Sequence, residues 1–369
     1  MKENTKIINT ESAITTDMEL LCRNSIDLVR YARGLAIQQI NIIELMTNYA
    51  LGRWIVEEQQ NGEDRAKYGA RVIDRLSEAL TEEFGRGYSR ETLKNCRRFY
   101  LEYKDRISQT TFTLFALEKS QTMFTQFKDN PPFTLPWSHY LILMRIKNLD
   151  ERRFYEIEAA KSQWNIRQLQ RQYSSSLYER LLLSSDKDKV MELATQGQVI
   201  QKPEDIVKDS FVLEFLGFPA QAVYSETELE TRVLNHLQEF IMELGRGFTF
   251  SARQKRFVFD EDNYYCDLVM YNRLLRCFVL FDLKVQKLTH KDLGQMQMYV
   301  NYYDRFEKTE DENPTVGILL CKDKNDALVE LTLPKDANIY AAKYELYLPD
   351  KKLLQKKLEQ WLSEEGCVS

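Results

Sequence analysis

The sequence predicts an α+β protein, with α/β character in its second half, in which a helical domain precedes a mixed sheet flanked by helices. Apolar residues recur at helical spacing from Met18 to about Gln60, and no proline interrupts them. Two shorter apolar runs, Tyr264–Tyr271 and Cys277–Leu283, are rich in β-branched, aromatic and aliphatic residues and are too short for helices. Helical segments precede and follow these runs, as expected for a sheet with helices on its faces.

The chain begins with a segment, residues 1–17, that shows no clear period and is predicted to be a flexible tail. The pattern over 18–60 then predicts one or two long amphipathic helices, which end at Gly62-Glu63-Asp64. Because these helices carry paired apolar stripes, they are candidates for the contact surface of a homodimer. They open a helical domain that is predicted to span 18–183.

A helix-turn-helix outline follows. A helix is predicted over 70–83, two glycines favour a turn at 84–88, and Ser89 is a suitable N-cap for a helix over 90–103. This second helix carries four basic residues, Arg90, Lys94, Arg97 and Arg98. The first three recur at spacings of four and three and therefore share a face. One hypothesis is a recognition helix on nucleic acid, and the alternative is a solvated basic face on an interaction bundle.

The rest of the first domain is less regular. The segment 108–136 is rich in Thr, Ser, Phe and Pro and is predicted to be a linker or a β-hairpin-like wing. Helices are predicted near 138–147, 150–163 and 165–183. A polar break then predicts a linker between domains over 184–208.

The second domain is predicted to span 209–350, with a C-terminal helix and tail over 351–369. Its predicted order is a helix, three strands, a helix and a strand, which gives a mixed sheet. The helices are expected at 226–244 and 291–306, and the strands at 248–259, 264–271, 276–284 and 315–321. The stretches 327–333 and 339–348 are candidates for further strands.

Charge is distributed unevenly along the chain. The net charge is −5, with +3 on residues 1–183 and −8 on residues 184–369. This distribution argues against a uniformly basic coat for nucleic acid. It suits a binding module followed by a metal site, although ordinary variation between surfaces is a simpler alternative.

A membrane or secretory protein is not expected. No stretch approaches the ~20 apolar residues that span a bilayer, and Met1–Ile14 lacks a basic region followed by an apolar one. The six cysteines form no CxxC pair and the three histidines lie far apart, so neither a zinc site nor a disulfide framework is expected. This composition fits a reducing cytoplasm.

Charged residues occur inside the two apolar runs, where they are not expected. Asp267 lies within the first run, and Asp282 lies near the end of the second. An unpaired charge is costly inside a buried strand, and the simplest compensation is a divalent cation held by both carboxylates. Two strands joined by a short turn would bring both acids to one end of the sheet.

Lys284 follows Asp282 by two residues and therefore points to the same face. It could orient or activate a water beside the cation, which is the chemistry of metal-assisted phosphodiester hydrolysis. The alternative for this pair is a strand end that reaches solvent.

Three more residues are candidates for the site. Glu230, on the preceding helix, is favoured over its acidic neighbours as a third metal ligand, the alternative being a surface acid near a helix N-terminus. Gln295 and Tyr299 lie one helical turn apart and could contact phosphate oxygens or a metal-bound water. The alternative places Tyr299 in the core and leaves Gln295 exposed.

These residues resemble a known signature. Asp267, then fourteen residues, then Asp282-Leu283-Lys284, then Gln295 and Tyr299, is similar to the D…(D/E)xK…QxxxY pattern of PD-(D/E)XK nucleases. Longer strings resemble the YhcG-type family more specifically: Gly85–Leu93, Leu135–Tyr140, Phe211–Pro219, Glu228–Glu230, Tyr264–Tyr271 and Gly294–Tyr303. The similarity covers about residues 18–350.

The resemblance implies a helical, winged-helix-like N-terminal domain joined to a restriction-endonuclease-like domain. It implies a nuclease that depends on Mg²⁺, or on Mn²⁺ in its place, and acts on DNA, with RNA not excluded. Asp267, Asp282 and Glu230 would be metal ligands, and Lys284 would orient water or steady the developing charge. Gln295 and Tyr299 match the QxxxY helix.

Two features depart from the family pattern. Aspartate stands at position 282, where glutamate is more usual, and the usual proline before Asp267 is absent. A nuclease-like protein that binds nucleic acid or assembles with other proteins without cutting is therefore the alternative, since fold alone does not secure function.

Overall fold

The structure, a computed structural model, describes eight stretches of the chain: 4–60, 65–117, 131–183, 189–219, 223–259, 262–324, 326–334 and 337–363. The chain divides into two compact units, Met1–Lys147 and Asn148–Ser369. No helix among the described residues combines the length and the apolar content needed to cross a membrane.

The first unit is helical, as predicted. Its helices are α1 (Asn4–Gln60), α2 (Arg65–Phe84), α3 (Arg90–Tyr103), α4 (Gln109–Phe112) and α5 (Trp137–Leu143). The expected tail differs from the structure, in which α1 already begins at Asn4. No proline or glycine occurs between this residue and Gly34, so nothing in the backbone chemistry stops the helix.

The helix-turn-helix outline is present in α2 and α3. The Ser89 hydroxyl accepts a hydrogen bond from the backbone N–H of Thr92 at 3.2 Å, which caps α3 as predicted. Gly85 and Gly87, in the turn, have φ of +77° and +134°. In the predicted linker or wing, residues 109–117 are helical, and 118–130 lie outside the described residues.

Close packing of α1 on α3 depends on one glycine. A Cβ atom at Gly52 would lie 2.0 Å from the carbonyl oxygen of Cys96, so no side chain fits there without moving a helix. The buried contact beside it is formed by Leu51, Ile55, Ile73, Leu93 and Cys96. The two helices can therefore approach each other at backbone distance.

The second unit contains nine α-helices among its described residues. They are α6 (Leu149–Lys161), α7 (Ile166–Ser174), α8 (Leu177–Leu183), α9 (Lys189–Gln196), α10 (Glu226–Asn235), α11 (Leu237–Leu244), α12 (His290–Tyr302), α13 (Asp326–Thr332) and α14 (Lys351–Ser363). Helices α6 to α8, assigned from the sequence to the first domain, lie in this compact unit. The expected linker over 184–208 contains α9.

A six-stranded mixed sheet forms the centre of the second unit, which confirms the predicted fold class. Its strands are β1 (Ser210–Val212), β2 (Phe248–Phe259), β3 (Asp262–Asn272), β4 (Cys277–Lys287), β5 (Val316–Asp323) and β6 (Ile339–Glu345). They lie in the order β1-β6-β5-β4-β3-β2. The pairs among β2, β3 and β4 are antiparallel, and the pairs from β4 to β1 are parallel.

Helices cover both faces of this sheet. Apolar side chains of α10 and α11 pack with one face, among them Leu229, Val233 and Phe240. Those of α12 pack with the other, among them Leu293 and Met296. The predicted strand at 327–333 is wrong, because α13 occupies it; the strand predicted at 339–348 is confirmed as β6.

A buried charge cluster ties α7 and α8 to α11. It consists of Glu243, Arg180, Arg171 and Lys208. Glu243 lies 2.6 Å from Arg180 and 3.1 Å from Arg171, and neither Glu243 nor Arg180 is exposed. Burial alone would raise the pKa of Glu243, but the surrounding cations lower it to about 2. The charges of the cluster are thus fixed by one another.

Candidate active site

The two aspartates meet where β3 and β4 separate. The last paired residues are Leu268 and Phe281, and the next residue on each strand is Asp267 and Asp282, respectively. Asp267 accepts a hydrogen bond from the backbone N–H of Leu283 at 2.8 Å, so its carboxylate takes the place of a backbone acceptor. The structure therefore brings together the two acids that the sequence singled out.

Lys284 completes this group. Its Nζ lies 2.8 Å from Asp282 and about 4 Å from two further acids, at 3.9 Å from Glu226 and 4.0 Å from Asp292. Burial would lower the pKa of Lys284, but the acids around it, Asp282 above all, raise that pKa well above its usual value. Lys284 is therefore an ammonium, suited to steadying negative charge and unsuited to accepting a proton.

Burial, and to a smaller extent the charge of neighbouring acids, raise the pKa values of the carboxylates at this site. Burial, and then the charge of Asp267, raise the pKa of Asp282 to about 7. Burial also raises the pKa values of Asp267 and Glu230. Because the charged forms of these three carboxylates are disfavoured, a bound cation would stabilise them.

Glu230 joins the group through a residue that the sequence did not reveal. The side-chain amide of Gln254, on β2, donates to Glu230 at 2.7 Å and to Asp267 at 3.0 Å. Gln254 has φ of +44°, in the left-handed region that residues other than glycine seldom adopt. Such backbone strain persists where the surrounding structure enforces it, often at functional sites. Here it aims one amide at two carboxylates.

Gln295 and Tyr299 lie on α12 and link this helix to the strand that carries Asp267. Tyr299 is fully buried in α12 and donates a hydrogen bond to the backbone carbonyl of Tyr265 on β3 at 2.8 Å. Gln295 is half-buried and donates to the Tyr299 hydroxyl. The pair thus fixes α12 to the strand that carries Asp267, which agrees with the alternative of Tyr299 as a core residue.

Arg98 is 46% exposed, and the two most exposed basic residues of α3 are Arg90 and Lys94. Their side chains are 63% and 59% exposed, which leaves them accessible to a ligand. Arg90 lies 2.8 Å from Asp74, and Lys94 lies 3.7 Å from Glu91. Exposed ion pairs of this kind contribute little to stability, so a phosphate could replace Asp74 or Glu91 as the partner of the basic residue.

The other two basic residues of α3 make contacts within the first unit. Arg97 is half-buried and donates to the side chain of Gln59 at 3.3 Å. Arg98 donates to the backbone carbonyl of Met144. Both side chains therefore already hold neighbouring helices of this unit.

Comparison with known proteins places the chain in a family. Residues 204–359 match the family model of the YhcG PDDEXK nuclease domain, and residues 25–180 match that of the DUF1016 N-terminal domain. A relative from Escherichia coli (strain K12), "Putative nuclease YhcG", is 38% identical over 354 residues, covering 92% of this chain and 94% of its own length. The chain belongs to the YhcG family of PDDEXK nucleases.

A solved structure shows a limited likeness to this chain. It is the crystal structure of a repair endonuclease from Pyrococcus abyssi, with 17% sequence identity and a TM-score of 0.23. The likeness covers 35% of this chain and 50% of that chain.

The residues of this YhcG-family site suit a divalent metal ion in their chemistry. Asp267, Asp282 and Glu230 supply carboxylate oxygens, which Mg²⁺ and Mn²⁺ prefer, and burial raises the pKa of each of these acids. Within the described stretches, no three His, Cys, Asp or Glu side chains are already arranged around one point as a metal site. Glu230 instead accepts a hydrogen bond from the side-chain amide of Gln254.

Replacing Gln254 separates the role of its amide from that of its backbone. Gln254→Gly, which tolerates the positive φ but lacks the amide, is expected to weaken Mn²⁺ binding and to slow cleavage by about 10–100-fold, since residues that orient metal ligands have effects of this size. Mn²⁺ binding is measured by electron paramagnetic resonance. Gln254→Asn keeps an amide at a position that asparagine tolerates, and it should retain more binding than the glycine variant. Equal Mn²⁺ affinity in all three proteins would contradict an orienting role.

Proposed function

We propose that this YhcG-family nuclease is a metal-dependent endodeoxyribonuclease that hydrolyses phosphodiester bonds with Mg²⁺, or with Mn²⁺ in its place. The observation that carries the proposal is the meeting of Asp267, Asp282 and Lys284 at the point where β3 leaves β4. Asp282 is buried and Asp267 is half-buried, and one lysine cannot compensate both charges, so a bound cation would supply the missing positive charge.

The roles proposed for these residues follow from their charges. Asp267 and Asp282 would hold the cation, and Glu230 would join them from α10. A bound Mg²⁺ would supply Lewis-acid chemistry and a water of lowered pKa. Lys284, held as an ammonium, would stabilise the negative charge that develops on the phosphate. Gln295 and Tyr299 would keep α12 in place behind them.

Cleavage of a panel of nucleic acids tests this proposal. Duplex, branched and single-stranded DNA, with RNA of the same sequences, are incubated with the full chain and Mg²⁺, Mn²⁺ or EDTA. Internal cuts that require a divalent ion are expected, and DNA is the expected substrate. Cutting in EDTA would contradict metal dependence, and cutting of RNA alone would contradict the assignment to DNA.

Arg90 and Lys94 are proposed to bind the nucleic-acid backbone, with α3 as the recognition helix of the first unit. The double variant Arg90→Gln/Lys94→Gln is expected to weaken DNA binding and to reduce the slope of log affinity against log salt by about 1–2, because each lost phosphate contact releases one counterion fewer. Fluorescence anisotropy in EDTA at several salt concentrations measures both.

The matched control for α3 removes the same charge elsewhere. Lys352→Gln/Lys356→Gln removes two exposed charges from α14 and should leave the salt slope nearly unchanged. Equal losses in the two double variants would mean that net charge alone matters and that α3 is no interface.

A second copy of the chain is the proposed partner of α1. Leu21, Leu28 and Leu35 recur every seven residues and are 59%, 67% and 36% exposed, the spacing of a coiled-coil seam. Leu28→Lys is expected to convert a dimer into a monomer, as measured by light scattering after size exclusion. Leu331→Lys, at an isolated leucine that is 88% exposed, is the control. A monomeric wild type would contradict the proposal.

The cytoplasm is the proposed location of the protein. Cys22, Cys96, Cys266, Cys277 and Cys321 are all free thiols in the structure. Thiols persist in a reducing compartment, which supports this location.

A further inference from the structure

An aromatic pocket opens beside α12, on the sheet face that this helix covers. Its volume is about 300 Å³. Phe257 of β2, Tyr264 of β3, and Tyr302 and Phe306 beyond them line its apolar wall. None of the acids of the candidate active site, nor Lys284, lines this aromatic pocket. Its wall is mainly aromatic, whereas the candidate active site is mainly charged.

The aromatic rings of the pocket form a continuous row. The ring centres of Phe257 and Tyr302 are 4.8 Å apart, and those of Tyr302 and Phe306 are 5.2 Å apart. The row runs outward from the core, since Phe257 is buried and Phe306 is 70% exposed. A large exposed aromatic at the end of such a row offers a flat surface for a planar ligand.

Polar groups border the same aromatic pocket. The side-chain Oε1 of Gln297 is buried and accepts no hydrogen bond from any described residue, whereas its Nε2 donates to Asn301 at 3.2 Å. That oxygen is shielded from solvent, so the amide that a ligand can reach in this lining is that of Asn301, which is exposed. Arg305, also in the lining, is exposed. The pocket therefore combines flat apolar walls with one exposed amide and one cation.

The aromatic pocket is linked to the candidate active site through core contacts. The Phe257 ring packs on Tyr299, with centres 4.9 Å apart, and Tyr299 is bonded to the strand of Asp267. On β2, Phe257 follows Gln254 by three residues, a distance of about 10 Å along a strand. A nucleic-acid strand that reaches the acids therefore passes close to the pocket.

We propose that the aromatic pocket binds one unpaired nucleobase of the strand that is cut. The inference rests on the proposed nuclease function and defines its substrate class as nucleic acid with a single-stranded or extrahelical segment. The base would stack on the exposed end of the aromatic row, its edge would hydrogen-bond to the exposed side-chain amide of Asn301, and Arg305 would contact a neighbouring phosphate. A base inside a duplex cannot reach such a pocket without leaving its stack.

Binding of a fluorescent base tests this inference without any cutting. The full chain in EDTA is titrated into DNA that carries a 2-aminopurine either as a single bulged base or within a fully paired duplex. A second label at the end of the strand reports binding by anisotropy. RNA with the same bulge is a parallel arm and shows whether the pocket also accepts ribonucleotides.

The expected result is tighter binding of the bulged strand and quenching of its 2-aminopurine by stacking. Phe306→Ala is expected to lower affinity for the bulged strand by about tenfold, because stacking of one base on an aromatic residue has an effect of this order, and to leave affinity for the paired duplex unchanged. The residue is exposed, so the variant keeps its core. Tyr347→Ala, at another exposed aromatic residue (48%) in the second unit, should change neither affinity.

Other outcomes separate this inference from the proposed function. Cleavage of DNA with equal affinity for bulged and paired strands would overturn the pocket and keep the nuclease. Base-dependent quenching without cleavage of any substrate would keep the pocket and overturn the nuclease. A change in oligomeric mass on Phe306→Ala, with no change in base binding, would overturn the inference and assign the aromatic row to a protein contact.

Discussion

Replacing Asp282 by asparagine is expected to abolish metal-dependent cleavage, with a loss of at least about 1000-fold in rate. A single preorganised group at a reacting phosphate or carbonyl contributes about 100- to 1000-fold, and Asp282 is proposed both to hold the cation and to fix Lys284 at 2.8 Å. Single-turnover cleavage of a labelled DNA strand, with Mg²⁺ or Mn²⁺, measures the loss.

Stability distinguishes this loss from unfolding. The pKa of Asp282 is raised to about 7 by burial and by Asp267, so its charge opposes folding at neutral pH, and the asparagine variant should melt no lower than the wild type. Lys284→Ala should also lose cleavage. Asp311→Asn, at an exposed acid of the same unit, should keep it.

Two outcomes would contradict the assignment of Asp282 and Lys284. Equal rates in the wild type and the Asp282→Asn variant would show that the metal-dependent cut is made elsewhere. A wild type that binds DNA and cuts none of the panel would favour the non-cutting alternative, in which the fold is retained for binding or assembly.

The sequence predicted the meeting of the acids because local rules govern it. A period of two residues along a strand and a short turn suffice to place Asp267 opposite Asp282 and to put Lys284 on the same side. The same rules predicted β2 to β6 and α12 closely. They failed at 327–333, where a short apolar run fits either a strand or a buried helix, and packing beside α12 decided for α13.

Gln254 could not be predicted because its role is produced by the fold. Pairing of β2 with β3 shifts register between Phe250 and Ala252, which brings Gln254 opposite Asp267. Its positive φ has no residue-level signal, since glutamine seldom adopts such a conformation. Gly52 is a similar case, because a mid-helix glycine reveals its purpose only when Cys96 is known to lie against it.

The extent of each unit also depended on long-range contacts. Helices α6 to α8 were predicted from periodicity, but periodicity does not show which partner a helix packs against. Arg171 and Arg180 meet Glu243, which lies 72 and 63 residues further along the chain. The family models divide the chain near 180–204, whereas packing divides it after Lys147. Sequence homology and compactness therefore mark different boundaries.

Glu243→Gln is expected to lower the free energy of unfolding of the second unit by about 3–5 kcal/mol at neutral pH. The substitution keeps the shape of the side chain but leaves Arg180, which is fully buried, and Lys208 without their counter-charge, and an uncompensated buried charge has a cost of this size. It also weakens the acceptor for the backbone N–H of Val212 on β1. Urea-induced unfolding, followed by circular dichroism, measures the change.

The pH dependence of that loss identifies the charge as its cause. The pKa of Glu243 is about 2 in the folded protein and near 4.5 ordinarily. Between these values the unfolded chain binds a proton that the folded protein does not bind, so the stability contributed by this group decreases as the pH is lowered. The difference in the free energy of unfolding between wild type and Glu243→Gln should therefore have its full value above about pH 4.5 and become smaller as the pH is lowered toward 2. Glu239→Gln, at a half-exposed acid on the same helix, should change little at any pH. A loss that stays constant down to pH 2 would mean that packing, rather than the charge cluster, holds α7 and α8 against α11.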